Sequence, residues 1–175
     1  MNNYRRIFKS KNTGKSILKE LLVNLFIAEL IDPSPKVWFV SPWISDLTII
    51  DNSSGSFNSL NPDWNGKKVL LTDAVIQMLS ASTKVYIISN NDPHNKIFID
   101  KIHIRAKEEG YGEFLNTKLR EDLHTKGIIT NHGSLSGSMN LTYNGLEINE
   151  ETILYFISRD HIQQDLIQCE RYINE

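Results

Sequence analysis

The sequence holds a single cysteine, Cys169, among its 175 residues. An internal disulfide is therefore excluded, as is any zinc site built on paired cysteines; the expectation is a reducing compartment, the cytoplasm. A marked excess of either charge is missing too. Nineteen Lys and Arg face 21 Asp and Glu, for a formal net charge of −2, so attraction to a polyanion must come from a local cluster rather than the average field. No apolar run approaches the roughly 20 residues that span a bilayer, and no basic amphipathic helix of the membrane-surface type is visible, so no membrane partner is expected. The run 21-LLVNLFIAELI-31 follows Arg5, Arg6, Lys9, Lys11, Lys15 and Lys19 as in a secretory signal, but Glu29 interrupts it and no small-x-small cleavage pattern precedes Pro33. The basic segment 1–15 has two readings, a solvated end or an arm that contacts a nucleic-acid backbone. Internal repeats are absent, so any motif occurs once.

What is present suits one α/β domain, 1–175, whose 40% hydrophobic content can fill a core. Helical spacing over 16–31 ends at Pro33 and Pro35, and 36-KVWFVS-41 reads as an interior strand covered on both faces. Residues 67–82 read mostly as a helix beginning near Thr72 or Asp73, 84-KVYIISN-90 as a second interior strand, and 95–109 as a helix ending at Gly110. Beyond these, 123–130 and 134–140 flank a turn at 131-NHG-133, 151-ETILYFIS-158 is a strand, and a last helix starts near Asp160. The order predicts a mixed sheet with helices on both faces. The polar segment 51-DNSSGSFNSLNPDWNG-66 is long for a connection; Phe57 and Trp64 are read as pins holding it down rather than as stacking platforms.

The chemistry concentrates in 124-HTKGIITNHGSLSGSMN-140. In a strand, His124 and Lys126 would project together, as would Ser138 and Asn140. A histidine that serves as nucleophile or proton donor, beside a fixed cation, a hydroxyl, an amide and a close-approach glycine at 137, suits a phosphoester. There is no Ser-His-acid set and no carboxylate cluster for a catalytic metal. His132 is read as exposed in its turn, and His94, His103 and His161 as structural or exposed. The string 9-KSKNTGKS-16 lacks the first glycine of a phosphate-binding loop and a strand before it, and is rejected.

His-x-Lys followed by Gly-Ser-x-Asn resembles the HKD signature of the phospholipase D superfamily. The residues 149-NEE-151 are similar to its Asn-x-Glu, and 37-VWFVSPWISD-46 to its first core strand and Ser-Pro turn. The resemblance implies a phospholipase D-like α/β/α sandwich. It also implies a metal-independent, cofactor-free phosphodiesterase with catalytic His124, Lys126, Ser138, Asn140 and Glu151, the last orienting His124. Gly137, Asn149, Trp43 and Asn131 are the expected substrate contacts. Asn131 stands where the family has aspartate, keeping an acceptor oxygen but losing the charge. Because the mechanism uses two motifs, one histidine forming a phosphohistidine and the other protonating the leaving oxygen, the single motif implies a homodimer with the site at its interface. Similarity to bacterial endonuclease and restriction-type members points to nucleic acid, DNA before RNA, and to a role in defence, within a larger complex in one version. The rivals are a phospholipid or small phosphodiester hydrolase, and a nucleic-acid-binding or assembly subunit with weakened chemistry.

Overall fold

A computed structural model describes residues 4–174. Its interior is set by β2 (Lys36–Val40) and β5 (Lys84–Asn90), parallel neighbours joined by a crossover, as the continuous apolar runs predict. Alternate β2 side chains face opposite layers: Val37 and Phe39 enter the large core beneath the first three helices, whereas Trp38 and Val40 enter a smaller one containing Cys169. The seven-stranded sheet has the order β1-β9-β8-β7-β2-β5-β6. β6 (Leu115–Arg120) extends its parallel half. β7 (Gly127–Ile129), β8 (Ser134–Gly137), β9 (Glu151–Phe156) and β1 (Tyr4–Lys9) form an antiparallel half. Helices α1 (Lys15–Ile31), α2 (Leu71–Ser80) and α3 (Pro93–Glu108) cover one face, and α4 (Arg159–Asn174) the other. The α/β/α sandwich with a mixed central sheet is as expected. No helix among the described residues is long and apolar enough to cross a membrane.

Two local readings change. Residues 67–82 are not mostly one helix, because Lys68–Leu70 form β4, paired with β3 (Thr48–Asp51) in a separate two-stranded sheet. The α2 helix starts only at Leu71, where Asp73 Oδ2 accepts from Leu70 N at 2.9 Å and turns the chain. Between β3 and β4 the polar segment is held from inside. Asn52, fully buried, donates to Trp64 O at 3.0 Å and accepts from Phe57 N at 2.7 Å. Trp64 is buried and Phe57 packs on the core, so both serve as pins.

The second change concerns the basic N-terminus. Residues 1–3 lie outside the described region, but Tyr4–Lys9 is neither a solvated end nor a free arm; it is the edge strand β1, in register with β9 from Tyr4↔Phe156 to Lys9↔Glu151. Three of the six basic residues serve the fold's own interior. Lys9, only 2% exposed, donates to Gly145 O at 2.8 Å and Asn149 O at 2.6 Å. Lys15 and Lys19, on α1, hold the carboxylate of Glu147. Three ammonium groups thus fasten one short π-helical segment, Asn144–Ile148. These contacts link residues more than a hundred positions apart, which a reading of local charge does not register.

Candidate active site

Strand register decides which candidates meet. β7 runs antiparallel to β2 with Val40 opposite Gly127, and antiparallel to β8 with Gly127 opposite Ser136. β8 in turn sets Gly137 against Ile153 of β9, and β9 sets Glu151 against Lys9 of β1. The Ser41–Trp43 turn, Lys126, Ser138, Glu151 and Lys9 therefore all lie along one end of the sheet, although they come from five different stretches of chain. That end collects the strand termini where side chains are released from the ladder and can address a ligand.

The predicted hairpin is shorter than expected. His124 and Lys126 precede β7 instead of forming part of it, so no strand alternation aligns their side chains. They are arranged by the local chain: Lys126 Nζ donates to the carbonyl of His124 at 2.6 Å. The histidine is anchored by its neighbour, since Asn90 at the end of β5 accepts from Leu123 N at 2.9 Å and donates to Leu123 O at 3.4 Å. Leu123 is buried and His124 exposed, so the imidazole stands at the surface on a fixed stem.

On the other arm, Gly137 takes φ +144°, a conformation open to glycine; an added Cβ would sit 2.1 Å from Thr152 O. This brings β8 against β9, where Ser138 N donates to Thr152 O at 3.0 Å and Ser138 Oγ accepts from Thr152 N at 3.0 Å. The same hydroxyl donates to the carboxylate of Glu151, which is 7% exposed. The resemblance assigns Glu151 to the ring of His124; here Ser138 engages it. Lys9 sits beside this pair. Burial pushes its ammonium below the ordinary lysine value, while the charges of Glu151 and Glu147 act in the opposite direction.

Asn140 follows with a buried Oδ1 that has no hydrogen-bond partner. The adjacent Leu141 is fixed by Ser41, whose Oγ accepts from Leu141 N at 3.0 Å and donates to Trp43 O at 2.7 Å. Behind it, buried Asn95 donates to Pro42 O and Asn90 O and accepts from Ile44 N. Asn90, Ser41, Asn95 and Lys9 are positioning residues that the sequence reading missed. Only Ser41 had a visible marker, in the Ser-Pro turn.

Asn149 lies at the same end: its carbonyl takes Lys9 and its side chain lines a hollow shared with Trp43 and Asn140. Asn131 does not. It follows the far end of β7, where its N–H donates to Ser34 Oγ at 2.9 Å. Five positions along the chain, about 16 Å at strand rise, set it apart from Lys126, so it does not join the group at the other end and its lost charge falls far from the lysine. His132, in the same turn, is not freely exposed, with Nε2 2.6 Å from Asp32 O. Among the described residues no three His, Cys, Asp or Glu side chains gather to hold a metal ion.

The arrangement was compared with known proteins. No protein-family model and no curated protein matches the sequence. Solved structures do match. Nuc, a phospholipase D family member from Salmonella typhimurium, superposes with a TM-score of 0.61 at 11% identity, over 98% of this chain and 93% of that one. This chain has the phospholipase D fold. Phosphatidylserine synthase from Haemophilus influenzae Rd KW20 (TM-score 0.64, 15% identity) is matched over 98% of this chain but 38% of its own length. TrmBL2, an archaeal chromatin protein, is matched over 99% of this chain and 52% of its own (TM-score 0.55, 13% identity). The phospholipase D fold is thus spanned almost end to end in the comparison with Nuc, and only in part in the two larger proteins.

Proposed function

We propose that the chain is a phosphodiesterase that hydrolyses nucleic acid without a metal ion, working as a homodimer. The observation that carries this is the gathering of His124, Lys126, Ser138, Asn140 and Glu151 at one end of a phospholipase D sheet. In this reading a ring nitrogen of His124 attacks phosphorus, forming a P–N bond as the P–O bond to the leaving strand breaks. His124 of the second copy gives its proton to that oxygen, then takes one from a water molecule whose oxygen displaces the first histidine. Lys126 and Asn140 from both copies offset the charge on the phosphoryl oxygens. Ser138, held between Glu151 and the Thr152 N–H, shapes the approach to that centre.

The near end-to-end match to Nuc supports a one-domain subunit on this fold, and its single motif is the reason for a second copy. TrmBL2, an archaeal chromatin protein with a novel mode of DNA binding, supports a nucleic-acid ligand on this fold. A part in bacterial DNA defence, with partner proteins, is the biological setting we infer. The test is incubation of wild type and His124→Ala with single- and double-stranded DNA, RNA and phospholipid vesicles in excess chelator. Wild type is expected to cleave nucleic acid, and the variant to lose at least about a thousandfold in rate. Cleavage only on adding a divalent metal overturns the mechanism, hydrolysis of lipid alone overturns the substrate, and a strictly monomeric active protein by light scattering overturns the shared site.

A further inference from the structure

Next to Asn140 the sheet end opens into a hollow of about 330 Å³ walled by Trp43, Ser45, His94, Asn140, Thr142 and Tyr143, with the amides of Asn144 and Asn149 at its margin. The volume is in the range of about 300–1,000 Å³ that small organic groups occupy. None of these lining residues is Asp, Glu, Lys or Arg, so the hollow holds no carboxylate, ammonium or guanidinium of its own. Its aromatics are held outward. Trp43 is 44% exposed and Tyr143 is 63% exposed, whereas the other two tryptophans, Trp38 and Trp64, are buried. Trp43 is fixed at its carbonyl by Ser41 Oγ at 2.7 Å, and its indole N–H points to Asp92 Oδ2 at 3.4 Å. His94 is tied to Ser45, Nε2 to Oγ, at 2.8 Å.

Flat apolar surfaces and the side-chain amides of the exposed Asn144 and Asn149 make an uncharged, planar recognition site beside a charged one. We infer that this hollow takes an unpaired nucleobase next to the scissile phosphate, stacked on Trp43 or Tyr143 and hydrogen-bonded at its edge by Asn144 or Asn149. The inference rests on the nucleic-acid reading above and deepens it. A paired base has both faces covered by its neighbours and its Watson–Crick edge occupied, so the substrate must be single-stranded at this position.

The test uses His124→Ala in chelator, which binds without cutting; His124 is exposed, so its replacement leaves the core intact. Three ligands of equal length are titrated: a thymidine oligonucleotide, the corresponding abasic oligonucleotide and a duplex. Because Trp43 alone among the three tryptophans is exposed, its emission reports on the hollow. The thymidine strand is expected to quench it and to bind about 5- to 150-fold more tightly than the abasic strand, the span of one stacked base. Adding Tyr143→Ala or Trp43→Ala should shrink that ratio. Equal affinity for thymidine and abasic strands overturns the base site while leaving the nucleic-acid reading standing, and tighter binding of duplex than of single strand does the same. Failure of all three to bind overturns both.

Discussion

Replacing Lys9 by methionine removes one ammonium and keeps the volume of its stem. Two carbonyls, of Gly145 and Asn149, lose donors now at 2.8 and 2.6 Å. Hydrogen bonds to a charged group contribute about 1.5–3 kcal/mol each, so the gross loss is about 3–6 kcal/mol. Part is returned, because methionine has no charge to desolvate and burial is the leading cause of the lowered Lys9 pKa. A net cost of about 2–4 kcal/mol results, since the orphaned carbonyls remain largely covered. At about 2–4 °C per kcal/mol for a chain of this size, thermal unfolding followed by circular dichroism should drop by about 4–16 °C. The pH dependence carries a sign as well. Between the lowered folded pKa and the ordinary 10.5 the unfolded chain binds the additional proton, so Lys9 adds stability as pH rises through that window. The gap between wild type and Lys9→Met should widen there. Cleavage should fall too, as the segment bearing Asn149 loosens. A loss under about 0.5 kcal/mol would refute the reasoning, showing that the two carbonyls find other donors and that Lys15 and Lys19 alone hold the segment.

Gly137→Ala should cost about 2–4 kcal/mol, because the new Cβ meets Thr152 O at 2.1 Å and φ +144° is strained for alanine; urea unfolding and loss of cleavage through a displaced Ser138 check it. Cys169 is buried and its thiol is pushed up to about 12 from 9.0, so it should resist a thiol reagent at pH 8 until the protein is unfolded. The same shift fixes a sign: between pH 9.0 and about 12 the folded state retains a proton that the unfolded state loses, so the Cys169 contribution to stability falls as pH rises through that window. A Cys169→Ser titration that keeps the full wild-type decline would contradict it.

The elements legible in the sequence are those whose side chains face an interior. β2, β5 and β9 carry apolar or β-branched runs because layers press on them, and α1 and α4 show helical spacing for the same reason. The sheet's two edges escaped. β1 reads YRRIFK and buries only Ile7 and Lys9, and β6 reads LNTKLR; an edge strand has a partner on one side only and is kept polar against further pairing. The site divides in the same way. His124, Lys126, Ser138 and Asn140 sit within one short stretch at a recognisable spacing, whereas Asn90, Asn95 and Lys9 reach the site through distant backbone contacts that leave no local pattern. Asn131 entered through the resemblance, at the position of the family's aspartate, and a short extended strand carries it to the other end of the sheet from Lys126.

The pairing of β1 with β9 also has a bearing on synthesis. The first of the described strands finds its sheet partner in the last of them, with Lys9 and Glu151 in register and the lysine's two carbonyl acceptors emerging just ahead of that partner. A nascent chain therefore presents the parallel half of the sheet first, leaving Tyr4–Lys9 unpaired until residues near 156 clear the ribosome. His124 and Lys126 emerge well before Glu151, so the candidate site is complete only once β9 has been made.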